Sequence, residues 1–178
     1  KMIISDWQKY EKDLDNLINS LNRNDKTINP FPLLSLIDSP SYHKINTEIY
    51  VKDKFISPEK KQIKNKIIKD GKIKIGYFSP DFRNHPILYL IKEVFKFHNK
   101  EKFDVYAFSF GPEDKDKNLD EVKGFFKKFI DIRNMSNQEV ADLSQKIGID
   151  IAIDLCGYTA WNRAGIFYFR AAPIQINY

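Results

Sequence analysis

The sequence predicts an α/β fold, namely a Rossmann-like, mostly parallel β-sheet flanked by helices and preceded by a small helical segment. From Lys72 onward, short β-rich runs alternate with helix-like segments, which is the order that a parallel sheet requires. The run 149–155 is almost entirely apolar, as in a strand that is buried on both faces. We therefore expect a helical linker segment at 1–70 and a Rossmann-like domain at 71–178.

The first segment contains two predicted helices. Apolar residues recur every three or four positions across 6–23, and a serine-proline pair predicts a second helix over 39–55. Prolines near Pro30 end the first unit and predict an extended stretch over 33–37. The lysine-rich residues 56–71 have few apolar anchors, which is typical of a surface linker.

The second segment contains five predicted strands and four predicted helices. Ser136 and Glu139 form a capping-box pattern at the start of one helix, and Gly148 is placed to end it. The strands are predicted at 73–78, 103–110, 129–132, 149–155 and 173–178. The helices are predicted from about Pro86, at 121–126, after Ser136 and at 163–169. The apolar face of the helix after Pro86 is predicted to contain Leu90, Ile91, Val94 and Phe95.

The composition argues against several classes of protein. The net charge of +5 is modest, so solvated faces and the codon usage of an AT-rich genome explain it better than nucleic-acid binding, with an acidic partner as the alternative. The single cysteine, Cys156, excludes an intramolecular disulfide and predicts a reduced compartment, most simply the cytoplasm. No apolar run is long enough for a membrane span, and no signal peptide opens the chain. The first residue is not methionine, which suggests a piece of a longer protein.

The predicted topology places the functional loops at one edge of the sheet. Right-handed crossovers bring the carboxyl ends of all parallel strands to the same edge. We therefore expect the loops 79–86, 111–118, 133–136 and 156–163 to lie together there.

The loop 79–86 carries the histidine with the strongest functional interpretation. It connects a strand to a helix N-terminus, where unpaired amides and partial positive charge favour a phosphate. A neutral imidazole at His85 could accept a proton or form a hydrogen bond to a sugar or phosphate. One histidine beside a proline is also consistent with a helix cap or a packed side chain, and spacing alone favours that simpler interpretation.

The loop 156–163 follows the most apolar strand. Gly157 permits close backbone approach or a positive φ, Tyr158 and Thr159 offer hydroxyl groups, and Arg163 could meet an anion. The alternative is a turn at the end of the strand, whose aromatic side chains cover the edge of the sheet.

Two carboxylates also lie near these predicted loops. Asp142 shares a helix with Val140 and Leu143 and could approach the same cleft, although such a residue is more often solvated. Asp154 lies in an apolar strand, so its carboxylate must be hydrogen-bonded or paired. Motifs for a dinucleotide fingerprint, a Walker lysine, a zinc protease and a nucleophile elbow are absent, which counts against those classes of enzyme.

Several motifs, taken in order, resemble one family. The run IGYFSPDFRNHP at 75–86 resembles the opening of the catalytic region of O-linked N-acetylglucosamine transferases, including bacterial and plant SPINDLY-type homologues. The runs DLCGYT at 154–159 and AAPIQI at 171–176 are similar to the next two blocks of that family. Upstream, 31–40 resembles the segment that joins the family's helical repeats to its catalytic region.

The resemblance implies an inverting transfer of N-acetylglucosamine, or a related sugar, from a nucleotide sugar to Ser or Thr hydroxyls of a protein. UDP-N-acetylglucosamine is the expected donor, and neither a cofactor nor a metal is expected. The family's catalytic region has two Rossmann-like lobes, and this chain resembles only the N-terminal one. The second lobe, with most nucleotide contacts, and the preceding tetratricopeptide repeats have no counterpart here, so the isolated chain is expected to be inactive.

The same resemblance implies site residues. His85 matches a histidine near the donor phosphate and the acceptor that has been proposed as general base, and Asp142 aligns with an acidic residue also proposed for catalysis. We therefore predict these two residues as catalytic. The predicted substrate-binding residues are Asn84, Gly157, Tyr158, Thr159 and Arg163.

Two other functions stay open at this point. The lysine-rich stretch 60–74 and the high aromatic content are compatible with a non-catalytic protein-interaction module that has the same fold. A nucleotide-binding regulatory domain has less support because the predicted phosphate loop lacks glycines.

Overall fold

The computed structural model describes residues 7–55, 71–112 and 117–178. The chain forms two compact units, Lys1–Pro58 and Glu59–Tyr178. The predicted surface linker 56–71 lies outside the described residues except for Gly71, and so do residues 113–116 of the predicted loop 111–118.

The first unit contains three helices, which are α1 (Tyr10–Asn22), α2 (Pro30–Leu33) and α3 (Pro40–Lys54). Leu21, Leu33 and Ile49, one from each helix, form its buried core. The prediction of an extended stretch over 33–37 is wrong. Because the fixed φ of proline fits the first turn of a helix, the chain forms α2 up to Leu33. A turn over 34–36 follows, and Ile37 N donates to Leu33 O at 3.2 Å.

The second unit contains a five-stranded sheet in which every neighbouring pair of strands is parallel. The strand order is β3-β2-β1-β4-β5. This architecture confirms the predicted Rossmann-like α/β fold. The strands are β1 (Ile73–Ser79), β2 (Phe103–Ser109), β3 (Lys128–Asp131), β4 (Ile151–Asp154) and β5 (Ile174–Asn177).

Four helices connect these strands. The predicted capping box is confirmed, because Ser136 Oγ accepts from Glu139 N at 3.2 Å and Glu139 Oε2 accepts from Ser136 N at 2.7 Å. Gly148 ends the same helix with a φ of 79°, a left-handed conformation that favours glycine. The helices are α4 (Pro86–Phe97), α5 (Lys117–Lys123), α6 (Asn137–Ile147) and α7 (Ala164–Tyr168).

The helix predicted at 121–126 was misplaced. It ends at Lys123, because the chain turns at Gly124 and carries Phe126 into the core beside α4. Phe125 and Phe126 therefore belong to the turn after α5 and pack in or against the core.

Each face of the sheet packs against its own pair of helices. Tyr77 and Val105 share one core with α4 and α5, whereas Phe78 and Phe108 share the other with α6 and α7. The rings of Phe78 and Phe108 stack with centroids 4.3 Å apart. Because Cβ atoms alternate along a strand, neighbouring residues of β1 support opposite faces.

Two of the four residues predicted on the apolar face of α4 are exposed, so that part of the prediction is wrong. Ile91 and Phe95 are buried as predicted, and Leu88 completes their stripe. Leu90 is 85% exposed and Val94 is 45% exposed. Positions 88, 91 and 95 follow the three- and four-residue spacing of one helix face, so the sheet covers those residues rather than Leu90 and Val94.

Candidate functional site

The two loops singled out from the sequence follow neighbouring strands at the switch point of the sheet. The chain leaves β1 toward β2 on one side and returns to β4 on the other side. Phe78 lies opposite Asp154 in the register of β1 and β4. The loops 79–86 and 156–163 start immediately after these positions, where open α/β sheets bind their ligands.

The loop 79–86 is held by a carboxylate and by the side chain of Phe82. Asp81 N donates to Ser79 Oγ at 2.9 Å, and Asp81 Oδ1 accepts from Arg83 NH2 at 3.1 Å. The ring of Phe82, which is 3% exposed, packs beside Phe95 in the core. The loop 79–86 is therefore held by hydrogen bonds within the loop and by the packing of Phe82 in the core.

Gly111 supports the same loop from the end of β2. A Cβ atom at Gly111 would lie 1.7 Å from the carbonyl oxygen of Pro80, so the two loops approach more closely than any side chain allows. Phe110 N also donates to Ser79 O at 3.2 Å. The position of the loop 79–86 thus depends on a glycine in a neighbouring loop.

His85 is the N-cap residue of α4. Its Nδ1 accepts from Ile87 N at 3.3 Å, and its Nε2 lies 3.7 Å from Asp81 Oδ1. The imidazole is 30% exposed. Next to it, Asn84 Oδ1 accepts from the hydroxyl of Tyr89 at 2.9 Å. His85 therefore combines the capping role of the simpler interpretation with an accessible position at the switch point.

The loop 156–163 turns sharply at Gly157, which has a φ of 57°. Asp154 Oδ1 accepts from Cys156 N at 2.9 Å, and Thr159 Oγ1 donates to Cys156 O at 2.8 Å. Tyr158 is half-buried, and Thr159 is exposed. These bonds fix the turn that presents both hydroxyl-bearing residues.

Burial affects two titratable groups at the end of β4, Asp154 and Cys156. Burial raises the pKa of the Cys156 thiol, and the negative charges of Asp154 and Asp81 add to the increase. Burial also raises the pKa of Asp154, opposed by hydrogen bonds from the Cys156 and Gly157 amides and from the Asn177 side chain.

Arg163 connects the loop 156–163 to the chain before α6. Its guanidinium donates to the carbonyls of Ile132 at 2.8 Å and Met135 at 2.6 Å, and to Asn137 Oδ1 at 2.8 Å. It also lies 5.7 Å from the centroid of the Phe110 ring. Three of its five N–H donors therefore bind protein groups, a role that the sequence alone does not indicate.

Asp142 occupies a different position from the other predicted residues. It is exposed and lies five residues after the first residue of α6, about 7.5 Å along the helix axis. The structure thus brings His85, Asn84 and the loop 156–163 to the switch point, whereas Asp142 lies further back along a flanking helix.

A cavity of about 310 Å³ lies at the opposite edge of the sheet. Lys72, Phe103 and Lys127, at the amino ends of three strands, contribute to its lining. Because ligands of open α/β sheets bind at the carboxyl ends, we do not assign the candidate site to this cavity.

Across 7–55, 71–112 and 117–178, the structure has neither a helix fit to cross a membrane nor a group of three His, Cys, Asp or Glu side chains that could hold a metal.

Comparison with known proteins identifies the family. A family model described as glycosyl transferase family 41 matches residues 4–178, which is almost the whole chain. The chain belongs to glycosyl transferase family 41. The resemblance inferred from the motifs is thereby confirmed.

Two relatives of this family 41 chain are both named as peptide N-acetylglucosaminyltransferases. A probable UDP-N-acetylglucosamine–peptide N-acetylglucosaminyltransferase SEC of Arabidopsis thaliana is 35% identical over 107 residues, covering 60% of this chain and 11% of the relative. A UDP-N-acetylglucosamine–peptide N-acetylglucosaminyltransferase of Caenorhabditis elegans is 24% identical over 193 residues, covering 98% of this chain and 16% of the relative. The chain therefore spans only a small part of the length of these relatives.

A solved structure supports the fold of this family 41 chain. A mutant of the O-GlcNAc transferase of Thermobaculum terrenum superposes with a TM-score of 0.68 at 24% sequence identity. The match covers 79% of this chain and 27% of that one. The likeness is consistent with the parallel sheet described above.

Replacing Asp154 with asparagine is expected to change how stability depends on pH. Burial raises the pKa of Asp154 in the folded state, so the folded protein binds this proton more tightly than the unfolded chain. The unfolding free energy of the wild type therefore falls as the pH rises from the ordinary pKa of aspartate through the raised pKa of Asp154. Asp154→Asn keeps the acceptor oxygen and removes the buried charge, so it should equal or exceed the wild type in unfolding free energy at pH 7. This advantage should disappear below about pH 4.

Asp131→Asn is a control whose stability should depend on pH in the opposite direction, and it is measured in the same urea titrations. Hydrogen bonds from Arg133 lower the pKa of Asp131, so its stabilising contribution is present at neutral pH and is lost as the pH falls through the lowered pKa. This variant should be less stable than the wild type at pH 7 and should match it in acid. Equal pH profiles for the two variants would contradict the assignment of Asp154 as a buried carboxylate.

Proposed function

We propose that this chain is the N-terminal lobe of the catalytic region of a protein O-glycosyltransferase. In this proposal, residues 71–178 form the lobe and 1–70 form a helical linker. The full-length protein transfers N-acetylglucosamine from UDP-N-acetylglucosamine to Ser or Thr hydroxyls with inversion. The observation that carries the proposal is the family match over 4–178, and the printed names of the relatives support the donor and the peptide acceptor.

The geometry of the switch point suits this reaction. In an inverting transfer, the acceptor oxygen bonds to the anomeric carbon, the bond from that carbon to the phosphate oxygen breaks with UDP as the leaving group, and the proton of the acceptor hydroxyl ends on the departing diphosphate or on water. The 30% exposed imidazole of His85 and the hydroxyl side chains of the loop 156–163 support this proposal, since both follow neighbouring strands at the switch point. The proposed roles are catalysis by His85 and substrate contacts by Asn84, Gly157, Tyr158 and Thr159.

The proposal gives two of the predicted site residues different roles. Arg163 holds the loop 156–163 in place, because its guanidinium already binds three acceptors of the protein. Asp142 remains a catalytic candidate from the family resemblance alone.

The wider setting of the protein is part of the same proposal. We propose that tetratricopeptide repeats precede this lobe in the full-length protein, that a second lobe supplies most nucleotide contacts, and that the enzyme works without a metal in the cytoplasm of a bacterium. The lysine-rich stretch 60–74, which motivated the alternative of an interaction module, lies mostly outside the described residues.

The test uses a protein extended through the second lobe, incubated with UDP-N-acetylglucosamine and a library of Ser- and Thr-containing peptides. We expect UDP release and a mass increase of the acceptor peptides, and we expect neither from the 178-residue chain alone. UDP-glucose and GDP-sugars serve as donor controls. If the extended protein neither hydrolyses nor transfers sugar from any UDP or GDP donor, the proposed function is wrong.

A further inference from the structure

The start of α4 has a hydrogen-bonding pattern that determines what it can offer to a ligand. Pro86 has no N–H group. Leu88 N and Tyr89 N donate to His85 O at 3.0 and 3.4 Å, and Ile87 N donates to His85 Nδ1 at 3.3 Å. The backbone donors of this described turn are therefore already engaged. The polar group that the turn presents outward is the other ring nitrogen of His85.

The cap bond also determines where the imidazole carries its proton. Nδ1 can accept from Ile87 N only through its lone pair, so Nδ1 is not protonated while the bond exists. The proton of the neutral ring must then reside on Nε2, since the hydrogen bond of one ring nitrogen selects the state of the other. In this state neither ring nitrogen has a free lone pair that could receive another proton.

Asp81 favours the same tautomer. Its Oδ1 lies 3.7 Å from His85 Nε2, which is too long for a hydrogen bond but close enough for the negative charge to favour a proton on that nitrogen. The Asp81 carboxylate accepts from Arg83 NH2, and the Asp81 backbone N–H donates to Ser79 Oγ. The carboxylate is thus fixed beside Nε2 without occupying its N–H group.

We infer that His85 acts as a hydrogen-bond donor through Nε2 to a phosphate or sugar oxygen of the nucleotide sugar, and that Asp81 is the positioning residue that keeps the proton there. The inference rests on the proposed function. It differs from the general-base role predicted from the family resemblance, because a capped imidazole cannot accept the proton of the alcohol.

The first experiment separates a donor from a base by substitution in the protein extended through the second lobe. Asparagine can cap α4 through Oδ1 and can donate through Nδ2, but it has no basic nitrogen, whereas aspartate can cap but cannot donate. With UDP-N-acetylglucosamine, we expect His85→Asn to keep kcat/KM within about tenfold of the wild type. We expect His85→Asp and His85→Ala to lose about 100-fold or more, as when a hydrogen-bond donor is removed from an active site. Equal losses in all three variants would overturn the inference.

The second experiment reads the tautomer directly in the 178-residue chain. Ring ¹⁵N NMR should show His85 with its proton on Nε2 at neutral pH, assigned by the signals that disappear in His85→Asn. Asp81→Asn removes the charge that favours the capped ring with its proton on Nε2 over a ring whose cap bond is broken, so it should shift these signals toward a mixture of tautomers and should lower kcat/KM in the extended protein. A proton on Nδ1 in the wild type, or unchanged ring signals in Asp81→Asn, would refute the inference. Failure of the proposed function has a different signature, namely a wild-type extended protein without sugar turnover.

Discussion

Replacing Gly111 with alanine is expected to lower the unfolding free energy by about 3 kcal/mol, at the upper end of typical overpacking costs. The new Cβ atom would lie 1.7 Å from the carbonyl oxygen of Pro80, 2.6 Å from its carbonyl carbon and 3.0 Å from its Cα. All three neighbours are backbone atoms, so no side-chain rotation can relieve the contact. Urea unfolding followed by circular dichroism measures the loss.

Gly124→Ala is the matched control for this prediction. The nearest atom to a Cβ at Gly124 is a carbonyl oxygen 3.2 Å away, so a shift of a few tenths of an ångström relieves the contact. Its cost should be about 1 kcal/mol or less. Because Gly111 supports the loop 79–86, Gly111→Ala should also reduce sugar transfer in the extended protein, whereas Gly124→Ala should not. Similar stability for the two variants would show that the loops do not approach as closely as described.

The fold could be predicted from local signals that agree with one another. The capping box at Ser136 and the glycine at 148 define α6, and the apolar run 149–155 contains β4. The wrong predictions, for the apolar face of α4 and for the segment after Pro30, concern features that tertiary packing decides. The spacing of α4 allowed two apolar stripes, and only contact with the sheet selects the one with Leu88. For α2, the prolines indicated where regular structure changes but not that they would start a short helix.

The site could be predicted only as far as the topology of the sheet. A parallel sheet brings 79–86 and 156–163 to one edge, and the two loops do lie at the switch point. The cap formed by His85 had a sequence signal, because a residue before a proline at the first helical position is an N-cap. The partners of Arg163 had none, since they lie 26 to 31 residues away in the chain and two of them are backbone carbonyls.

Replacing Arg163 with alanine is expected to lower the unfolding free energy by about 3 kcal/mol, since removing the donor of a buried acceptor costs about 1–3 kcal/mol. The substitution leaves the carbonyls of Ile132 and Met135 and the side chain of Asn137 without this donor. Arg163→Lys should not restore stability, because one ammonium group cannot reproduce the planar fork that reaches three acceptors. Urea unfolding of the three proteins measures the effect.

Arg170→Ala is the control for the loss of an arginine near the same helix. Arg170 is exposed and donates to one carbonyl, Pro173 O, at 2.9 Å, so its removal should cost less than about 1 kcal/mol. In the extended protein, Arg163→Ala should also raise the KM for the nucleotide sugar, because the loop 156–163 loses its connection to the chain before α6. If Arg163→Lys matches the wild type in both stability and KM, the guanidinium serves as a single charge, and the three bonds do not hold the loop.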